Sequence, residues 1–347
     1  MIIGVTGLTT ADNPVPGYGV LKALRHENRP EWKLLGLAYS PLETCLYEPG
    51  LIDKAYLVPF PPEEPAAFVD RMHAIKKQYG LDLLIPNLDA EIPVLAEMAP
   101  RLEALRILLL VPDKAVVERI AKKQLCSWAA KNEIRLALPA TALVDTDHLN
   151  NLYAPSFPCM VKGLSHGAVL ANNMRELRHT VESMLRKGHT QILVQEYIPG
   201  EAFSLAALAD RKSRLAGFIP VKKLLTSKQG ATWMGTTIEG EGFRSLIETI
   251  IAKLNWVGPM DIEIIRNEYN GLDYLIEINP RFPAWISFAA LSGVNLPALL
   301  LELANGGTTA MMAPPEPGEV FVRQAMDIVS DIKQFGAFSL SGEMDYV

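Results

Sequence analysis

The sequence predicts an α/β protein: an N-terminal doubly wound parallel sheet followed by a two-lobed α+β region. Three observations carry this. Over the first 112 or so residues, short apolar runs alternate with amphipathic stretches. Beyond them the apolar runs lengthen and pair through turns, as antiparallel strands do. The length, 347 residues, exceeds one ordinary core at roughly 150 residues per domain.

In chain order, "IIGVTG", "KLLGLAY", "AYLVPF", "LDLLIPNLD" and "RILLLVPD" read as strands buried on both faces, and residues 17–27, 66–79 and 91–105 as helices between them. That alternation makes residues 1–112 one parallel-sheet domain. "GVTGLTTADNPVPGYG" supplies small residues and a helix start but no GxGxxG, so a tight turn is expected there and not a dinucleotide site. Residues 113–135 read as a charged helix. "FPCMVKGLSHGAVLANN" then gives strand, loop and strand, and "MRELRHTVESMLRKG" an amphipathic helix. "TQILVQEYIPGEAFSLAALAD" is a strand that breaks at Pro199-Gly200 and resumes. That makes about 120–197 a small separate α+β unit. More strands follow, with a helix over 243–254, the hairpin "GPMDIEIIRNEYNGLDYLIEINPR", a helical stretch over 286–305 and a C-terminal tail.

Composition excludes several classes. The net charge of −6 and the lack of a Lys/Arg run argue against nucleic acid or a membrane surface as partner. Cys45, Cys126 and Cys159 are scattered, without CxxC spacing, which fits a reducing compartment and neither a disulfide framework nor a zinc site. No basic leader or uninterrupted apolar span is present, so a cytoplasmic location is expected.

The hairpin carries the chemistry. Glu277, Asn279 and Arg281 alternate along a strand that should be apolar. A two-residue Asn270-Gly271 loop would put Glu263 and Glu277 on opposite faces. A three-residue loop, Tyr269–Gly271 with glycine left-handed, pairs Glu263 with Glu277 and Asp261 with Asn279. Only the latter gathers the acids, and opposed carboxylates need a shared cation. All-oxygen ligands suit Mg²⁺ or Mn²⁺, and Mg²⁺ favours one or two carboxylates together with phosphate oxygens. An acidic, solvent-facing sheet surface is the plain alternative.

"GPMDIEIIR" with "YLIEINPRFPAWISFAALSGVNLP" resembles the metal-binding core of the ATP-grasp superfamily, in its carboxylate-amine ligase and carbamoyl-phosphate-synthase-like branch. The resemblance covers most of the chain, with 1–112 similar to the preceding (pre-ATP-grasp) domain, 113–197 to the lid with its linking helix and 198–347 to the large lobe with a C-terminal tail. It implies that Glu263 and Glu277 bridge magnesium ions, with Asn279 completing one coordination sphere. Arg281 is implied to steady the transferred phosphoryl group or the acyl phosphate. Lys123 and Lys162 match the lysines that reach the ATP phosphates, Lys162 with a catalytic part. Glu196 and the backbone of Tyr197 and Ile198 would meet adenine, and Glu201 the ribose. The implied reaction is an ATP-dependent amide ligation through an acyl phosphate. Its partners are small carboxylates and amines, with a homodimer as the assembly.

Other readings stand beside these. Lys122 replaces Lys123 if the alignment slips by one, and Glu196 and Glu201 are surface charges if the family likeness is set aside. His166 reads as a loop histidine; Trp233 and Trp285 read as packing; Arg323 reads as an edge-strand arginine. The lid loop has only Gly163 and Gly167, leaving closure to Ser165 or Lys162, and Ala284-Trp285 replaces the small pair common in relatives. The rival functions are a bicarbonate-activating carboxylase and a Mg·ATP-binding subunit without turnover.

Overall fold

The computed structural model describes residues 1–11, 14–145, 152–164, 167–227, 230–308 and 310–346. Ser165 and His166 lie outside the described residues. Contacts gather the chain into two compact units: Met1–Val117 with Leu205–Asp261 and Asn279–Val347, and Glu118–Ser204 with Ile262–Ile278.

The first unit opens with β1 (Ile2–Val5), α1 (Pro16–His26), β2 (Lys33–Ala38), β3 (Lys54–Leu57), α2 (Pro65–Tyr79), β4 (Leu83–Ile85), α3 (Ile92–Ala104) and β5 (Leu108–Leu109). These strands pair in parallel in the order β3-β2-β1-β4-β5. The doubly wound sheet expected from the alternation is present. Side chains alternate between two cores, Leu34, Leu83 and Ile85 on one face and Leu35, Leu84, Phe68 and Met72 on the other, as a strand covered on both faces requires. Strand order reverses at β1, so the loops after β1 and β4 flank a crevice at the strands' C-terminal ends.

Helices α4 (Lys114–Ile120) and α5 (Lys122–Lys131) stand where one helix was expected. Ala121, at ψ 139, is extended and separates them. In the second unit, β6 (Thr141–Asp145), β7 (Cys159–Gly163), β8 (Ala168–Ala171) and β9 (Gln191–Glu196) form an antiparallel sheet in the order β6-β9-β7-β8. Helix α6 (Met174–Arg186) lays Leu177, Val181 and Met184 against Cys159, Val161, Ile192 and Val194. Its start is fixed by Asn173, which accepts from Glu176 N at 3.1 Å while the Glu176 carboxylate reaches back to Asn172 N at 2.9 Å, a reciprocal cap.

The third sheet contains β10 (Gly200–Ala209), β11 (Leu215–Thr226), β12 (Thr232–Thr237), β13 (Gly258–Asn267), β14 (Asp273–Asn279) and β15 (Val320–Val322), in the order β14-β13-β10-β11-β12-β15. Helix α7 (Glu241–Leu254) precedes β13; α8 (Ile286–Leu291) and α9 (Leu296–Ala304) divide the expected helical stretch. The tail ends as α10 (Ile332–Ser341) and β16 (Glu343–Asp345), and β16 adds antiparallel to β3. Lys54 holds it there, 3.3 Å from Glu343 and 3.1 Å from Asp345. Among the described residues no helix is long and apolar enough to cross a membrane.

Candidate nucleotide and metal site

The turn between β13 and β14 departs from the expected three-residue loop. Asn267 N donates to Leu272 O at 2.9 Å and Gly271 N to Asn267 O at 2.9 Å, so the loop holds four residues, Glu268–Gly271. Gly271 is left-handed, φ 68, as the sequence required. The Asn267 side chain supports the turn by accepting from Tyr269 N and Asn270 N. Arg266 grips Asp273 through two bonds of 2.8 and 2.9 Å in the same register.

Continued unchanged, that register would oppose Glu263 to Ile276 and send the two glutamates to opposite faces. The strands do not keep it. Leu275 and Ile278, three positions apart, are 0% and 3% exposed, which a strict period of two forbids. Asn279 Nδ2 meets Asp261 Oδ2 at 3.4 Å, the cross-strand neighbour expected from the sequence. The turn is one residue longer than the expected three, and the Asn279–Asp261 contact is nonetheless made.

Both glutamates act on the same ammonium. Lys162, on β7, has its pKa lowered by burial and by Lys122, and Glu277 and Glu263 oppose that shift. Its Nζ donates to Gln195 Oε1 at 2.7 Å, and Gln195 Nε2 donates to Thr141 Oγ1 at 3.0 Å. Gln195, on β9, pairs with Met160 and lies two positions from Leu193, the partner of Lys162, so the contact is a diagonal across the ladder. A glutamine inside the apolar run "ILVQE" was the available signal for it.

Lys122 Nζ lies 3.3 Å from Glu277 Oε1. Lys123 is exposed. The one-residue slip thus favours Lys122, because α5 buries Leu125, Trp128 and Ala129, and Lys122 lies on that face while Lys123 is turned about 100° away.

The connection between β9 and β10 contains the other expected residues. Glu196 is tied to Ala140 twice, its N donating to Ala140 O at 2.8 Å and its carboxylate accepting from Ala140 N at 3.0 Å. Tyr197 is 38% exposed and Ile198 buried. Among the described residues, no loop hydrogen bond engages the backbone of either. Glu201 is exposed and lies close enough to Arg266 to stabilise its charge. A Cβ on Gly200 would lie 1.9 Å from Arg266 O, so only glycine allows β10 to begin there, and Pro199 O accepts from Glu268 N at 3.0 Å alongside it.

In the first unit, Arg281 is gripped by Asp89 through Nε (3.0 Å) and Nη2 (3.1 Å), and its Nη1 donates to Phe282 O at 3.1 Å. Asp89 was not anticipated, being distant in sequence within "NLDAE". Arg323 follows the edge strand β15 and donates to Ala284 O at 2.7 Å, pinning the segment after Arg281. Trp285 stacks on Phe321, with ring centroids 6.1 Å apart.

The donor chemistry fits a hard divalent ion. Glu263 and Glu277 bring carboxylates of the kind such an ion prefers; the Asn279 amide nitrogen donates to Asp261 Oδ2. Among the described residues no group of three or more His, Cys, Asp or Glu that could hold a metal ion is present.

Residues 189–327 match the family model described as "ATP-grasp in the biosynthetic pathway with Ter operon". No curated protein matches the chain by sequence. Among solved structures, an L-amino acid ligase from Bacillus licheniformis matches with a TM-score of 0.64 at 17% identity, over 87% of this chain and 74% of that one. The N5-carboxyaminoimidazole ribonucleotide synthetase of Thermotoga maritima matches at 0.61 and 16%, over 89% and 77%. The biotin carboxylase domain of Hydrogenobacter thermophilus 2-oxoglutarate carboxylase, solved with MgADP, ADP and bicarbonate, matches at 0.66 and 15%, over 92% and 72%. The resemblance to the ATP-grasp superfamily therefore has a family match over residues 189–327 and a fold match over most of the chain.

Proposed function

We propose that this protein is an ATP-dependent ligase joining a small carboxylate to an amine. The observation that carries the reading is the ion pair of Lys122 with Glu277 at 3.3 Å, beside Lys162, whose charged form Glu277 and Glu263 favour. Two cations beside two carboxylates are what a metal-chelated polyphosphate needs, since each charge of the chelate meets its opposite.

Lys122 and Lys162 would contact phosphate oxygens, and Glu263, Glu277 and Asn279 would hold Mg²⁺. The ion, when bound, neutralises phosphate charge. Glu196, Tyr197, Ile198 and Glu201 form the proposed adenosine-binding segment, with backbone groups of Tyr197 and Ile198 for the base and Glu201 for the ribose. Lys123 has no part in this version. A substrate carboxylate oxygen attacks the γ-phosphorus, the bond to ADP breaks, and an acyl phosphate forms. The amine nitrogen then attacks the acyl carbon, phosphate leaves, and the nitrogen loses a proton. Arg281 would balance charge developing on the phosphoryl oxygens.

The test is ADP release measured across amino acids and small dicarboxylates, each with and without added amines. ADP formed only when acid and amine are both present supports the ligase. Release with bicarbonate alone supports the carboxylase reading, which the biotin carboxylase fold neighbours favour. ATP binding without release under every condition supports a non-catalytic subunit.

A further inference from the structure

We propose that Asp89 is a positioning residue that sets the angle of the Arg281 guanidinium, and that the buried carboxylate of Glu91 holds Asp89 in place. The proposal rests on the ligase reading, because it concerns the arginine assigned there to the phosphoryl group.

The loop after β4 lies where the strand order of the parallel sheet reverses. Glu91 is fully buried at its end. One oxygen accepts from Asn87 N at 2.7 Å, Leu88 N at 2.8 Å and Thr6 Oγ1 at 2.5 Å, and the other accepts from Tyr39 OH. Asn87 adds two bonds from its side-chain amide, to Thr6 O and Ile85 O, at 3.1 and 3.0 Å. The loop is therefore tied to β1, β2 and β4 by side chains. A segment so fixed carries Asp89 as a rigid extension.

Asp89 presents both oxygens to one edge of the guanidinium. A bidentate grip fixes the plane of the group as well as its position, and the bond to Phe282 O fixes its third nitrogen. A lone surface ion pair would contribute little to stability. The Arg281 side chain is only 18% exposed, and its other end is constrained by the strand that carries Asn279. Asp89 thus acts on orientation, and orientation errors near 1 Å cost roughly 100-fold in rate.

The experiment compares wild type, Asp89→Ala, Asp89→Asn, Arg281→Ala and the Asp89→Ala/Arg281→Ala double variant by ADP release and thermal melting. Asp89→Ala is expected to lower kcat roughly 10- to 100-fold with the KM for ATP changed by less than about twofold. Asp89→Asn, which keeps one acceptor, should fall between. In the Arg281→Ala background the Asp89 change should alter kcat less than about twofold, because the group it orients is gone. Full activity of Asp89→Ala beside a disabled Arg281→Ala overturns this inference and leaves the ligase reading intact. An equal loss in both backgrounds also overturns it. A folded wild type that forms no ADP with any acid and amine overturns the ligase reading, and this inference with it.

Discussion

Gly200→Ala tests the segment that joins the proposed adenine strand to the larger lobe. The new Cβ would lie 1.9 Å from Arg266 O and 3.1 Å from Asn267 Cα, both backbone, so no side chain can rotate away. Relief requires β10 and the end of β13 to separate by about 1 Å, since real Cβ contacts stop near 3.0 Å. Gly200 also has φ 153, and sparsely populated backbone regions cost about 1–3 kcal/mol for a residue with a Cβ. Separation breaks the Glu268 N to Pro199 O bond, worth roughly 0.5–1.5 kcal/mol. A total near 3 kcal/mol corresponds to a fall in Tm of about 4 °C for a chain of this size. Differential scanning fluorimetry measures it, and calorimetric titration with ATP should show weakened binding, because Tyr197 and Ile198 lie immediately upstream. A Tm within about 1 °C of wild type would refute the close-approach argument.

Lys122→Ala and Lys123→Ala, one residue apart, should behave differently. The first removes the partner of Glu277 and should weaken ATP binding roughly tenfold or more, while the second should leave affinity within about twofold; titration calorimetry on both decides whether the slip was assigned correctly. For Glu91, burial pushes the carboxyl above the ordinary glutamate range, although its hydrogen bonds oppose the shift. The native state therefore holds this proton more tightly than the unfolded chain does. Stability from this group is complete below the unfolded pKa and is lost as pH rises through the raised native pKa. Denaturation measured across mildly acidic to neutral pH should show that loss in wild type and not in Glu91→Gln. A parallel pair of profiles would remove Glu91 as its source.

The parallel sheet was legible because runs such as "LDLLIPN" are apolar on both faces, and its helices are amphipathic. The acidic pair was legible from period two, but its register was not. Asn267 closes the turn with its own side chain, and the loop is four residues long; this leaves no mark on hydrophobic alternation. Lys122 and Lys123 could not be separated without knowing that Ala121 ends one helix and that α5 faces inward through Leu125 and Trp128. What Asp89 and Gln195 contact was invisible for a different reason. Their partners, Arg281 and Lys162, are 192 and 33 residues away, and no local pattern encodes contacts between distant polar residues. The helix break at Ala121 likewise lacks a Gly or Pro to announce it.

Calorimetric titration of ATP with excess Mg²⁺ and with EDTA, for wild type and Glu277→Gln, bears most directly on the claim that two β-strand acids and two lysines hold a metal-chelated nucleotide. Wild type should bind tightly only with Mg²⁺, and Glu277→Gln, melting as a folded protein, should lose at least about tenfold in affinity. Equal binding in EDTA and Mg²⁺, undiminished by the substitution, would contradict it.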